Sequence, residues 1–154
     1  MRTGLVLVLA CLSLGCVRFH RDPVTGRVDT DVESPLKRGE DWSASLTGKA
    51  AFPSVFATAR AAVLGNETNV TITLTGGTAG ASYPWYVHQG TCASGGPIVG
   101  DQSAYPALTI GSQGRAEATA RLSVKLNEAS SYHVAVHASP NDMGTIVACG
   151  NLED

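Results

Sequence analysis

The sequence predicts an all-β domain built as an antiparallel sandwich or Greek-key barrel, and three observations carry that prediction. Val70, Ile72 and Leu74 alternate with Asn69, Thr71, Thr73 and Thr75, the period-two pattern of a strand with one wet face. After Gly114 the same alternation runs for ten residues, with Ala116, Ala118, Ala120, Leu122 and Val124 on one side and Arg115, Glu117, Thr119, Arg121 and Ser123 on the other. Turn-forming clusters recur at short intervals: Gly65-Asn66, Gly76-Gly77, Gly95-Gly96-Pro97 and Ser139-Pro140-Asn141-Asp142. Many short strands at such spacing, with no amphipathic helix among them, fit a closed or two-sheet antiparallel architecture.

Taken in chain order, residues 1–16 read as an export signal: Arg2 is basic, 4–14 is apolar, and the small Gly15 precedes Cys16. An eleven-residue apolar run is too short to span a bilayer. Leu12-Ser13-Leu14-Gly15-Cys16 resembles the bacterial lipobox, in which the cysteine is acylated and becomes the new N-terminus. Ser13 departs from that pattern. Val8-Leu9-Ala10-Cys11 fits the consensus better but shortens the apolar run, and plain signal cleavage with a soluble product is the further alternative. The expectation is lipidation at Cys16. The protein is then exported and membrane-anchored in a bacterial envelope, facing the periplasm or the cell surface.

Residues 17–41 hold eleven charged side chains, with Pro23, Gly26, Pro35 and Gly39 interspersed. So few large apolar groups cannot bury enough surface to order a segment on its own, and it is expected to be a flexible tether. The β domain is expected over 42–154. Its remaining strands are predicted at 43–51, 55–63, 83–89, 132–137 and 146–150, with 57–64 open to a helical reading because alanine suits helices.

Of the four cysteines, Cys11 leaves with the signal and Cys16 takes lipid, so Cys92 and Cys149 remain as a pair in an oxidising compartment. They are expected to be bonded, worth about 4 kcal/mol in the chain-entropy picture. Two buried free thiols are the alternative, and a metal site would need more ligands than these two.

A net charge of −2, a pI near 6.0 and no basic run beyond Lys37-Arg38 exclude nucleic acid as a partner. Gly76-Gly77-Thr78-Ala79-Gly80 precedes a strand and not a helix, so it lacks the context for phosphate binding. No Gly-x-Ser-x-Gly elbow supports a hydrolase. The sequons at Asn66 and Asn69 carry little meaning in a bacterial lipoprotein.

Chemistry concentrates in two places, Trp85-Tyr86-Val87-His88-Gln89-Gly90-Thr91-Cys92 and Val134-Ala135-Val136-His137 followed by Ala148-Cys149-Gly150. Here 42–152 resembles the copper/zinc superoxide dismutase family. The family's hallmarks are a His-Val-His strand, a cysteine soon after, a Gly-Pro-His turn, a late Val-Val-His strand and a C-terminal Leu-Ala-Cys-Gly. The resemblance implies a superoxide-dismutase-like Greek-key barrel. It makes Cys92 and Cys149 the family's structural disulfide, Gly96-Pro97 the turn, and Asp142-Met143-Gly144 the Asp-Leu-Gly after the last ligand histidine.

Most of the family's metal site is missing. His88 and His137 match two copper ligands, but Tyr86 and Ile98 stand where two further histidines belong. No histidine lies between Ile98 and Arg115, so the zinc ligands are absent and zinc is not expected. Asn141 replaces an aspartate that links the two metals' ligands, and Ile146 replaces the superoxide-guiding arginine. Copper that changes oxidation state needs imidazoles suited to both states and a cationic funnel for an anion, and neither is complete here.

Tyr86 and His88, two apart on a strand and roughly 7 Å from each other, share a face. Tyr86, His88 and His137 are therefore the one candidate metal cluster; the expectation is that it is a remnant of a metal-binding ancestor and holds no cofactor, with copper as the alternative. His133 lies four residues from His137, roughly 13 Å in extended chain, too far to join the same ion. The expectation is an envelope-anchored binding or structural module without dismutase activity, attached to the membrane through its lipid and to an envelope protein whose identity the sequence does not give. The rival is a divergent copper-binding protein or copper-only dismutase that uses His88 and His137.

Overall fold

The computed structural model describes residues 40–154 and, as backbone alone, the strands β1 (Val17–Arg21) and β2 (Val28–Val32). The expected signal, Cys11 and Cys16 lie outside the described residues. β1 and β2 pair antiparallel, with Val17 opposite Val32 and Arg21 opposite Val28, so the stretch read as a tether contains a hairpin. The described residues from 40 onward belong to one compact β unit.

That unit contains β3 (Asp41–Gly48), β4 (Phe56–Leu64), β5 (Glu67–Thr75), β6 (Ser82–Tyr83), β7 (Trp85–Gln89), β8 (Leu108–Thr109), β9 (Arg115–Leu122), β10 (Tyr132–Ser139) and β11 (Asp142–Leu152). Seven of them form one curled antiparallel sheet in the order β7-β10-β11-β3-β4-β5-β9. β3, β4 and β5 follow one another as hairpins while the last strand returns beside the first, which is the Greek-key order. β6 and β8 make a separate two-stranded ladder; β6 lies against β10 and β8 against β9, so it sits between the two edges of the large sheet. The domain is all-β, as the sequence predicts, and Cys92 and Cys149 are bonded, with their Cα atoms 6.0 Å apart.

The alternation sets the inner face. Trp42, Ala44 and Leu46 of β3, the alanines 57, 59 and 61 of β4, and Val70, Ile72 and Leu74 of β5 are all buried. Register explains why the alanine-rich segment is a strand and not a helix. Ala57 lies beside Leu74 and Leu74 beside Ala116; Ala59 lies beside Ile72 and Ile72 beside Ala118. Each bulky β5 residue thus sits between two small ones, a large-small alternation that lets the sheet curl over a filled interior. Burying Val70, Ile72 and Leu74 contributes about 1.5–3 kcal/mol each.

The expected strand 83–89 is split at Pro84, which has no N–H to offer a ladder; its carbonyl instead accepts the His137 N–H at 2.8 Å. β9 stops at Leu122, short of Val124. Beyond it the buried Thr68 hydroxyl donates to the Val124 carbonyl at 2.8 Å and accepts the Leu126 N–H at 3.2 Å, so a side chain holds what the ladder does not. The segment between β7 and β9 is pinned by aromatic groups. Trp85 Nε1 donates to the Pro106 carbonyl at 2.8 Å, Tyr105 donates its hydroxyl to the Val99 carbonyl at 2.7 Å, and the two rings meet edge-on with centroids 5.2 Å apart. Burial pushes the Tyr105 phenol well above its ordinary value, so it stays a donor.

Candidate functional site

Both faces of β10 are covered: Tyr132, Val134 and Val136 point into the core, and His133, Ala135 and His137 are buried on the other side. Register places His133 opposite His88 and Ala135 opposite Tyr86 on β7, while Cys149 of β11 lies on the far side of Ala135. The loop after β7, tied down by the Cys92–Cys149 bond, covers this outer face. It leaves at Gly90, whose N–H donates to the Ser131 carbonyl at 2.7 Å, and returns at Pro97, whose carbonyl accepts the Gln89 N–H at 2.9 Å. Ile98 then pairs with His88 across a single bridge.

Two glycines let the loop close. Gly90 has φ +87, and a Cβ there would lie 2.6 Å from the Gly95 carbonyl oxygen. A Cβ on Gly96 would collide with the Gln89 carbonyl. Their carbonyls are what the histidines meet. His88 Nδ1 donates to the Gly96 oxygen at 2.9 Å and His133 Nδ1 to the Gly90 oxygen at 3.1 Å. On the other side His137 Nδ1 donates to the Met143 oxygen at 2.7 Å. A carbonyl can only accept, so each ring carries its proton on Nδ1 and, when neutral, presents a bare lone pair at Nε2.

For His88 and His137 that lone pair is buried and has no hydrogen-bond partner. Their ring centroids are 5.8 Å apart. Tyr86 completes the group, 6.3 Å from His88 and 5.7 Å from His137 between centroids, with Tyr105 edge-on behind it at 5.2 Å. Tyr86, His88 and His137 are thus brought together. His133 stacks on the opposite face of the cluster, nearly parallel to His88 at 5.0 Å. Ile98, bridged to His88, adds only hydrocarbon.

Burial lowers the basicity of His137 and His133, against the opposing pull of their carbonyl partners, and the neighbouring His88 lowers both further. Neutral imidazole with Nδ1 held by a backbone carbonyl and Nε2 free is the form in which histidine ligates a metal. Two imidazoles on one ion, with bonds of about 2.0 Å, place their centroids roughly 5–6.5 Å apart. The 5.8 Å between the centroids of His88 and His137 falls in that range. No group of three or more His, Cys, Asp or Glu side chains among the described residues is arranged to hold a metal.

No protein-family model matches the chain, and no curated protein is significantly similar to it in sequence. The residues themselves must carry the functional argument.

Sequence reasoning missed the three carbonyls of Gly90, Gly96 and Met143, and it missed the stacking of His133 on His88. The Gly95-Gly96-Pro97 cluster signals a turn but not what its carbonyls hold. The stacking depends on cross-strand register, which local pattern does not fix. Away from this cluster, an open cleft of about 250 Å³ is lined by polar groups including Thr91, Glu128, Ser130 and Asn151 together with Trp42 and Tyr132.

Proposed function

We propose that this chain is an exported, lipid-anchored envelope protein whose superoxide-dismutase-like β domain is a metal-binding module and not a dismutase. One observation carries the reading: the buried Nε2 atoms of His88 and His137, both without a partner, sit in rings 5.8 Å apart. A buried acceptor left unsatisfied costs about 1–3 kcal/mol. Two such groups side by side, each fixed in its ligating tautomer by a backbone carbonyl, are arranged for something that binds lone pairs. Copper is the metal that the family resemblance implies and that imidazole donors suit.

Tyr86 and Ile98 stand where further histidine ligands belong, and this supports loss of turnover. The rival is an inert binding or structural module in which His88 and His137 are remnants of a metal-binding ancestor. It draws on the lack of a third His, Cys, Asp or Glu beside the pair among the described residues. Titrating copper(I) and copper(II) into the full chain in mild detergent, with His88→Ala and His137→Ala as controls, separates them. The expected result is one equivalent bound, lost in either variant, with no acceleration of superoxide decay by the loaded protein. Absent binding, or binding indifferent to both substitutions, supports the inert module, and superoxide turnover supports a copper-only dismutase.

A further inference from the structure

We propose that the His88–His137 site selects a soft monovalent cation, copper(I) or its analogue silver(I), over copper(II) and zinc(II). This rests on the reading that the pair holds a metal, and it names the ion.

Residues 70–100, which include β7 and the covering loop, contain no Asp, Glu, Lys or Arg, and neither do residues 129–141, which include β10. The donors present are two imidazoles whose Nε2 atoms lack a partner, with the Tyr86 ring beside them. The first acid along β11 is Asp142, and its Oδ1 already accepts the Thr145 N–H at 3.1 Å. No carboxylate or thiolate among the described residues joins the pair. The desolvation cost of an ion grows with the square of its charge, so a dication here costs about four times as much as a monocation, with no anion to offset it.

Coordination number points the same way. Zinc(II) takes four ligands in tetrahedral sites and copper(II) prefers four in a plane, whereas a filled-shell monovalent ion is satisfied by fewer. The rings cannot swing to recruit others: His88 is held by Gly96 and stacked on His133, His137 is held by Met143, and His133 is itself held by Gly90. Tyr86 and Tyr105 wall the remaining side with aromatic surface. A rigid two-imidazole site without an anionic donor suits a monocation and disfavours both divalent ions.

The test uses the full chain in mild detergent with four probes: silver(I) nitrate, copper(I) supplied anaerobically, copper(II) sulfate and zinc(II) sulfate. Affinity is read by competition with coloured chelators, and site occupancy by the imidazole nitrogen resonances of His88 and His137. The expected result is one silver(I) or copper(I) bound about 1,000-fold more tightly than zinc(II) or copper(II). Tyr86→Glu, verified as folded by circular dichroism, supplies the missing anion and shifts the ranking toward the divalent ions. Divalent binding within about tenfold of silver(I) overturns the selectivity while leaving the metal reading intact. Silence of all four probes overturns both, and an unchanged ranking in Tyr86→Glu refutes the charge argument.

Discussion

Replacing Cys92 and Cys149 together by serine tests how the outer face of β7 and β10 is held. The bond links residues 57 apart in sequence. Closing a loop of that length removes unfolded-state entropy worth about 4 kcal/mol. A domain of this size has about 5–15 kcal/mol of net stability, so the loss is a large share of the whole. At about 3–6 °C per kcal/mol, the thermal midpoint falls by roughly 10–25 °C. The shape of the loop should survive at low temperature, because other bonds define it. The Cys92 N–H donates to Asn151 Oδ1 at 2.9 Å, Gly90 N–H to the Ser131 carbonyl at 2.7 Å, and Gln89 N–H to the Pro97 carbonyl at 2.9 Å. Thermal melts followed by circular dichroism, with amide spectra recorded at 10 °C, read both quantities. A midpoint lowered by less than about 3 °C refutes the entropic account. Collapse of the native amide spectrum at 10 °C refutes the claim that hydrogen bonds shape the loop.

Other perturbations address separate parts of the structure. Ile72→Ala, at a fully buried position between Ala59 and Ala118, should cost about 2–5 kcal/mol in urea unfolding, whereas Thr73→Ala on the wet face should stay within about 0.5 kcal/mol; equal costs contradict the assigned faces. Gly96→Ala puts a methyl against the Gln89 carbonyl and should cost about 1–3 kcal/mol while releasing His88 Nδ1, and an unshifted His88 resonance argues against that contact. Burial holds His133 and His137 below the ordinary imidazole value, so near pH 6.5 and below the unfolded chain binds more protons than the folded one. Stability of the metal-free protein therefore falls as pH drops through about 6.5 toward the lower folded values, and the fall should be shallower in a His133→Gln, His137→Gln double variant. Identical urea midpoints at pH 7.5 and pH 5.5 for both proteins would count against this.

Much of the fold was written in side-chain period. β5 and β9 follow from strict alternation because each has one wet and one buried face. The alanines of β4 were ambiguous because their small size is decided by neighbours, Leu74 and Ile72, that lie on another strand. β8 and the turn at Gln102–Ala104 left no pattern, being two or three residues held by tertiary contacts such as the hydroxyl of Tyr105. In the site, Tyr86, His88 and His137 could be grouped from strand spacing and the family resemblance. The feature that gives the group chemical meaning could not. It depends on the Gly96 carbonyl, delivered by a loop whose path is set by close approach, on the Met143 carbonyl at the start of β11, and on the absence of any partner at Nε2.

His88 and His137 hold their Nδ1 atoms against backbone carbonyls and leave Nε2 buried without a partner. Nitrogen-15 spectra of the histidine side chains, recorded on the metal-free chain at pH 7.5 and after one equivalent of copper(I), measure this directly. Nδ1–H tautomers are expected for both residues before addition and large shifts at both Nε2 atoms afterwards, with His133 Nε2 little changed. Nε2–H tautomers in the metal-free protein, or resonances that ignore copper(I), would contradict that arrangement.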